Sequence, residues 1–150
     1  MKKIFILLLF VITSCGYQPL YKIDKIKNKV KFKEIELTGD PSLGKIIYSR
    51  LSIEIIENDE SLDKLILNVQ KNINETSKNS KGQATSYRTL ILIKLSILDD
   101  KGNLVKEKKL SKQLSYNSKN NKFKLREYQI EIENNLINKI IEDINIYLKF

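Results

Sequence analysis

The sequence has no histidine and no tryptophan, one cysteine, one methionine and two prolines in 150 residues. Without histidine there can be no His-based catalytic triad. A lone cysteine leaves no internal disulfide and no structural zinc site built from Cys and His. Arginine is also scarce, at Arg50, Arg88 and Arg126 only. Planar bidentate recognition of phosphate or carboxylate is therefore almost unavailable, and positive charge rests on lysine as a point charge. What is present is charge and aliphatic mass: 27 basic against 18 acidic residues, a net charge of +9, 41% hydrophobic and 30% charged residues. That profile fits a folded body rather than a disordered tail, with length for one domain. The excess of cations calls for an anionic partner.

The first residues narrow the choice of anion. Met1-Lys2-Lys3 is a short positive stretch, and Ile4 to Ile12 is an unbroken apolar run. A bilayer-spanning helix needs ~20 apolar residues, so the run is too short for a permanent span and has the length of a secretory h-region. Ile12-Thr13-Ser14-Cys15 follows. A branched aliphatic, two small residues and a cysteine resemble the lipobox of bacterial lipoproteins, in which the cysteine is acylated and becomes the new amino terminus. The only cysteine of the chain stands at the one position that chemistry requires. The expected organisation is a signal peptide over residues 1–14, a lipid-anchored tether over 15–29 and a single domain over 30–150. Several acyl chains, at ~0.8 kcal/mol per buried methylene, would hold the protein stably at a membrane. Loss of Lys2 and Lys3 lowers the charge of +9 to +7. An exported chain has no nucleic acid as partner, which leaves lipid head groups, lipid phosphates or an acidic protein surface. The lysines at 22, 25, 27, 29, 31 and 33 read first as a solvated linker.

Past the tether, Val30, Phe32, Ile35 and Leu37 read as one strand with a change of phase near Lys33, where a bulge is expected. Asp40-Pro41 is a helix start, with Asp40 as N-cap and Pro41 at the first helical position. The stripe Leu43, Ile46, Ile47, Leu51 and Ile55 extends that helix to about Asn58. Leu65, Leu67, Val69 and Ile73 alternate along a second strand. The third strand is the strongest signal: Tyr87, Thr89, Ile91, Ile93, Leu95 and Ile97 share one face, and Leu90, Leu92 and Leu98 lie on the other. Asp99-Asp100-Lys101-Gly102-Asn103 is a hairpin turn. A fourth strand runs from about Leu104 to Tyr116, broken by Lys106-Glu107-Lys108-Lys109, charges of the kind that protect a sheet edge. A helix from about Phe123 to Leu148 carries two apolar rows, Leu125, Tyr128, Ile132, Leu136, Ile140 and Ile137, Ile141, Ile144, Leu148. The order strand-helix-strand-strand-strand-helix predicts an α+β domain with two helices on one face of a four-stranded sheet.

Four pieces of this sequence carry a resemblance. Cys15 is followed at once by Gly16-Tyr17-Gln18-Pro19-Leu20-Tyr21. A strand ends at Gly39-Asp40-Pro41. Gly82-Gln83-Ala84-Thr85-Ser86-Tyr87-Arg88 leads into the long third strand, and the last helix has an early Arg126-Glu127. In order, length and lipobox, nearly the whole chain resembles the LPS-assembly lipoprotein family LptE. The resemblance implies an outer-membrane lipoprotein on the periplasmic face, with no catalysis and no cofactor. Its partners would be the LptD β-barrel, which it plugs and helps to fold, and lipopolysaccharide, whose delivery to the outer leaflet it assists. It also implies lipopolysaccharide contact from basic positions in the loop before the third strand and near the start of the last helix. The matching regions hold Lys78 and Lys81, and Lys122, Lys124 and Arg126. Taken singly, each of these is as well explained as a solubilising charge.

Two other classes compete. Paired carboxylates at Asp99 and Asp100, Glu131 and Glu133, and Glu142 and Asp143 could do glycosidase chemistry if correctly separated. A turn and a solvated helix face account for them, and no nucleophile–base pair accompanies them. The alternative non-enzymatic reading is a lipid-anchored envelope adaptor or a lipid-binding lipoprotein of unrelated role. Acylation of Cys15 is directly testable. Metabolic labelling with a fatty acid should mark the parent protein and leave Cys15→Ser unlabelled and unprocessed; a labelled serine variant would refute the lipobox assignment.

Overall fold

The computed structural model describes residues 29–149. Cys15, the signal peptide and nearly all of the tether lie outside the described residues. In chain order the elements are β1 (Val30–Phe32), β2 (Glu34–Gly39), α1 (Pro41–Tyr48), β3 (Ile53–Ile55), β4 (Lys64–Lys78), β5 (Ala84–Leu98), β6 (Leu104–Asn117) and α2 (Lys122–Lys149). The class is α+β with two helices, as expected. The described residues form six strands in two sheets, however, and not four in one. The large sheet has the order β2-β4-β5-β6, with β2 parallel to β4 and the other pairs antiparallel. A small parallel pair, β1 with β3, makes the second sheet.

Both departures arise between residues 30 and 58. Phe32 and Ile35 must both face inward, three residues apart, which a continuous strand of period two cannot do. Lys33 leaves the ladder and donates its N–H to the Asp63 carbonyl at 2.9 Å, after which the chain changes partner from β3 to β4. The expected bulge is thus a switch of sheets. The first helix begins as expected: Asp40 Oδ1 accepts from the N–H of Ser42 and of Leu43, each at 3.1 Å, and Pro41 starts the helix. It stops at Tyr48, not near Asn58. Leu51 and Ile55 do match helical spacing, but Ile53 and Ile55 also alternate as a strand, and β1 supplies a partner for them. Pairing with a distant strand overrides the local period.

The remaining strands follow their patterns closely. Leu65, Leu67 and Val69 of β4 face Ile97, Leu95 and Ile93 of β5 across the ladder, and all six are buried. Ile73 shares that face by alternation but is 41% exposed. β6 runs unbroken through Lys106-Glu107-Lys108-Lys109, contrary to expectation, because its partner β5 is continuous there; one extra residue, Val105, is accommodated at its start. Leu43 and Ile47 of α1 and Ile132, Leu136, Ile137, Ile140, Ile141 and Ile144 of α2 close over the same side of the sheet in one core. Gly39 makes the turn from β2 into α1 possible. Its φ is +83°, and a Cβ there would stand 2.1 Å from the Val69 carbonyl oxygen.

The assignment of faces predicts opposite outcomes for neighbouring residues of β5. Ile93 is buried, and Leu92 points to the uncovered face at 36% exposure. Ile93→Asp should unfold the domain, losing about 4 kcal/mol or more by burying an unpaired charge, whereas Leu92→Asp should cost under about 1 kcal/mol. Chemical unfolding of the two variants checks this, and equal stabilities would reverse the assignment.

Candidate functional site

The five basic residues singled out above come from two segments far apart in sequence. β4 and β5 form a long hairpin in which Lys78 pairs with Ala84, and its tight turn spans Asn79–Gln83. Asn79 organises that turn: its Oδ1 accepts from the N–H of Lys81 and of Gln83, each at 3.0 Å, and Gly82 takes φ +76°. On the other side of β5, Ser86 pairs with Asn117, and the Ser118 N–H donates to the Thr85 carbonyl at 2.8 Å. The β6–α2 loop therefore lies beside the base of the β4–β5 turn. Asn121 then caps α2, accepting the Phe123 N–H at 2.7 Å through its side chain and the Leu125 N–H at 2.9 Å through its carbonyl. Lys78, Lys81, Lys122, Lys124 and Arg126 thus gather at one end of the sheet, all exposed. Lys78 is held by Glu75 at 3.1 Å. Among the described residues, no carboxylate lies within ion-pair distance of the other four.

This end contains one arrangement the sequence reading missed. Tyr87 of β5 stacks on Tyr116 of β6 with ring centroids 5.9 Å apart, and Tyr116 meets the Tyr128 ring of α2 edge-on at 5.7 Å. The Tyr116 hydroxyl and the wholly buried Thr89 hydroxyl share a hydrogen bond of 3.1 Å. Over the outer face of Tyr128 sits the Lys119 ammonium, 4.1 Å from the ring centroid, a cation–π contact. Three tyrosines from three elements thereby fasten the loop and the start of α2 to the sheet. Nothing in local sequence period announces such a cluster, because its members are brought together only by strand register.

In each pair of carboxylates considered for catalysis, one member has a structural partner. Asp99 Oδ1 accepts from the N–H of Asn103 at 2.7 Å and of Lys101 at 3.0 Å, and Asp99 Oδ2 accepts from the Asn103 side-chain amide at 3.0 Å. These bonds, the Asn103 side chain first, hold its carboxyl below the ordinary aspartate value. Glu133 is paired with Lys71 at 2.9 Å, and Asp143 with Lys112 at 2.7 Å. Two surface grooves, of about 310 Å³ and 450 Å³, are open and lined by mixed side chains: Leu92, Ile93 and Leu110 with Asn68, Gln70, Lys94 and Lys109 in the first, and Ile35, Tyr48 and Ile55 with Lys33, Glu34 and Glu57 in the second.

No family model and no curated protein matches the sequence. Solved structures do. The minor lipoprotein of Acinetobacter baumannii superposes with a TM-score of 0.55 at 16% identity, covering 81% of this chain and 91% of that one. Rare lipoprotein B of Shewanella oneidensis gives 0.52 at 13% identity, covering 78% of this chain and 99% of that one. The chain has the fold of these lipoproteins. At such identities the likeness is one of fold, and it extends over most of the described body.

The tyrosine cluster makes a stability prediction for the basic end. Tyr116→Phe removes the hydroxyl and strands that of Thr89, which should cost about 1–2 kcal/mol. Adding Thr89→Val replaces both polar partners and should recover much of that loss. Urea unfolding of the single and double variants measures it; a double variant less stable than the single one would contradict the pairing.

Proposed function

We propose that the protein is a lipid-anchored lipoprotein of the LptE type at the periplasmic face of the outer membrane. In this reading it forms a one-to-one complex with a β-barrel of the LptD type, and its basic end contacts lipopolysaccharide during delivery to the outer leaflet. The reading draws on the lipobox at Ile12 to Cys15, on the likeness of fold to two lipoproteins, and on the resemblance quoted from the sequence. The observation that carries the lipopolysaccharide part is convergence: Lys78 and Lys81 meet Lys122, Lys124 and Arg126 through the backbone bond from Ser118 to Thr85. A lipid phosphate is an anion that several ammonium groups can share. Exposed cations act weakly one at a time, so number matters more than any single residue.

Barrel association would depend on packed area and should survive moderate salt. Lipopolysaccharide contact would depend on charge and should weaken as salt screens the lysines, with a Debye length of ~8 Å at physiological ionic strength. Changing Lys78, Lys81, Lys124 and Arg126 together to Glu should leave barrel association largely intact. At roughly 0.3–1 kcal/mol per exposed contact, lipopolysaccharide binding should fall about tenfold or more. Barrel pull-down and labelled lipopolysaccharide binding on the same variant check both. Unchanged lipopolysaccharide binding would reject the charge mechanism. Failure to recover any barrel with the parent protein from native membranes would reject the LptE-type reading itself.

A further inference from the structure

Phe123 is 68% exposed, the most exposed of the large hydrophobic side chains among the described residues. It stands in the first turn of α2 between Lys122 and Lys124. Side chains of a helix lean toward its N-terminus, so a ring in the first turn projects past the end of the helix rather than along its flank. The two segments that form this end, residues 75–81 and 118–127, hold six cations (Lys78, Lys81, Lys119, Lys122, Lys124 and Arg126) against two carboxylates, Glu75 and Glu127. One of those carboxylates is already engaged by Lys78. The loop behind the ring is firmly held, by the Asn121 cap, the Ser118–Thr85 bond and Lys119 on Tyr128. An aromatic ring is thus presented on a fixed element between two lysines, at an end rich in cations.

We propose that this end docks onto an anionic lipid surface, with the lysines against lipid phosphates and Phe123 entering the boundary between head groups and acyl chains. Lysine stems and an aromatic ring are the combination that suits such a boundary, where one part of each side chain is wet and the other is not. The occupant follows from charge. The exposed apolar pair Leu104 and Val105 lies at the opposite end of the sheet, where four lysines (Lys101, Lys106, Lys108 and Lys109) face three carboxylates (Asp99, Asp100 and Glu107), so an anionic surface is drawn there far less than to the basic end. The proposal shares the basic end with the lipopolysaccharide reading above and rests on that reading of the site as a phosphate contact, but it requires neither lipopolysaccharide nor a barrel.

The absence of tryptophan gives a clean probe. Phe123→Trp and Leu104→Trp, each made in the full chain, place a single fluorophore at either end. Each variant is reconstituted with vesicles whose acyl chains carry bromine, made of phosphatidylcholine alone or of phosphatidylcholine mixed with phosphatidylglycerol. Trp at 123 should be quenched about twofold in the anionic vesicles and little in the neutral ones, and the quenching should fade toward 1 M salt, where the Debye length is ~3 Å. Trp at 104 should be quenched in neither. Lys122→Glu with Lys124→Glu in the Phe123→Trp background should abolish the effect. Equal quenching at both ends, quenching independent of phosphatidylglycerol, or none at 123 would each overturn the proposal. These vesicles hold no lipopolysaccharide and no barrel, so such a failure is separate from a failure of the pull-down and binding measurements above.

Discussion

Burial of one face of β5 governs the rest of the molecule. Thr89, Ile91, Ile93, Leu95 and Ile97 alternate along it, all turned toward the helices and all buried. Each apolar member contributes roughly 1.5–3 kcal/mol relative to exposure, an upper range because the unfolded chain already shields some of that surface. β5 is hydrogen-bonded on both sides, so its register sets that of β4 and β6 as well. A slip of one residue would turn Leu90, Leu92, Lys94 and Ser96 inward and expose the isoleucines. The same register decides that Ser86 meets Asn117, and with it that the two basic segments lie side by side. The gathering of charge at one end is therefore a by-product of a core constraint.

Around that core, charge has an orienting part. Lys71 of β4 and Lys112 of β6, which flank Ile91 on either side, reach up to Glu133 and Asp143 of α2, and Lys108 lies 6.0 Å from the Tyr147 ring. Partly exposed pairs of this sort contribute little each, near 0–1 kcal/mol. Their placement on both sides of a 28-residue helix nevertheless favours one rotation and one slide of α2 over the sheet. At the far edge, Lys64 bridges Glu36 at 2.9 Å and Glu34 at 3.4 Å, and the Glu36 contact first of all holds its ammonium above the ordinary lysine value. Many lysines of this chain are thus absorbed into its own architecture. On the two basic segments Lys78 is held by Glu75 and Lys119 by the Tyr128 ring, while Lys81, Lys122 and Lys124 have no carboxylate within ion-pair distance among the described residues.

The parts of this fold that are governed by nearest neighbours were legible in the residues. β5 showed itself by alternation, α2 by its double apolar row, the Asp99 turn by its composition and α1 by Asp40-Pro41. Residues 30–58 were misread because two periods overlap there. Leu51 and Ile55 satisfy a helix and Ile53 and Ile55 satisfy a strand, and the choice was made by β1, more than twenty residues earlier in the chain. The division of Val30–Gly39 between two sheets has the same origin. The basic residues could be named from their segments, but their meeting depends on hairpin register. Lys119 passed unnoticed because its contact with the Tyr128 ring, nine residues on, spans a loop and a helix start and follows no helix or strand period. Phe123 entered the sequence reading only as the approximate start of the last helix, and only the packing reveals that it is 68% exposed.

The length of β4 has a consequence of its own. From Lys64 to Lys78 it rises about 45 Å at ~3.3 Å per residue. The chain enters the body at the Lys64 end, where Lys33 meets Asp63 and Val30 lies by Ser52, itself bonded to Asn145 late in α2. The basic end is at the other extreme. Since the hydrocarbon core of a bilayer is ~30 Å thick, β4 forms a strut longer than a membrane interior is deep. A strut gripped at its root can reach chemistry a full membrane's depth away without any moving part, and its reach is set by the number of residues in one hairpin. Adding or removing two residues from each arm would keep every side chain on its face and change that reach by about 7 Å.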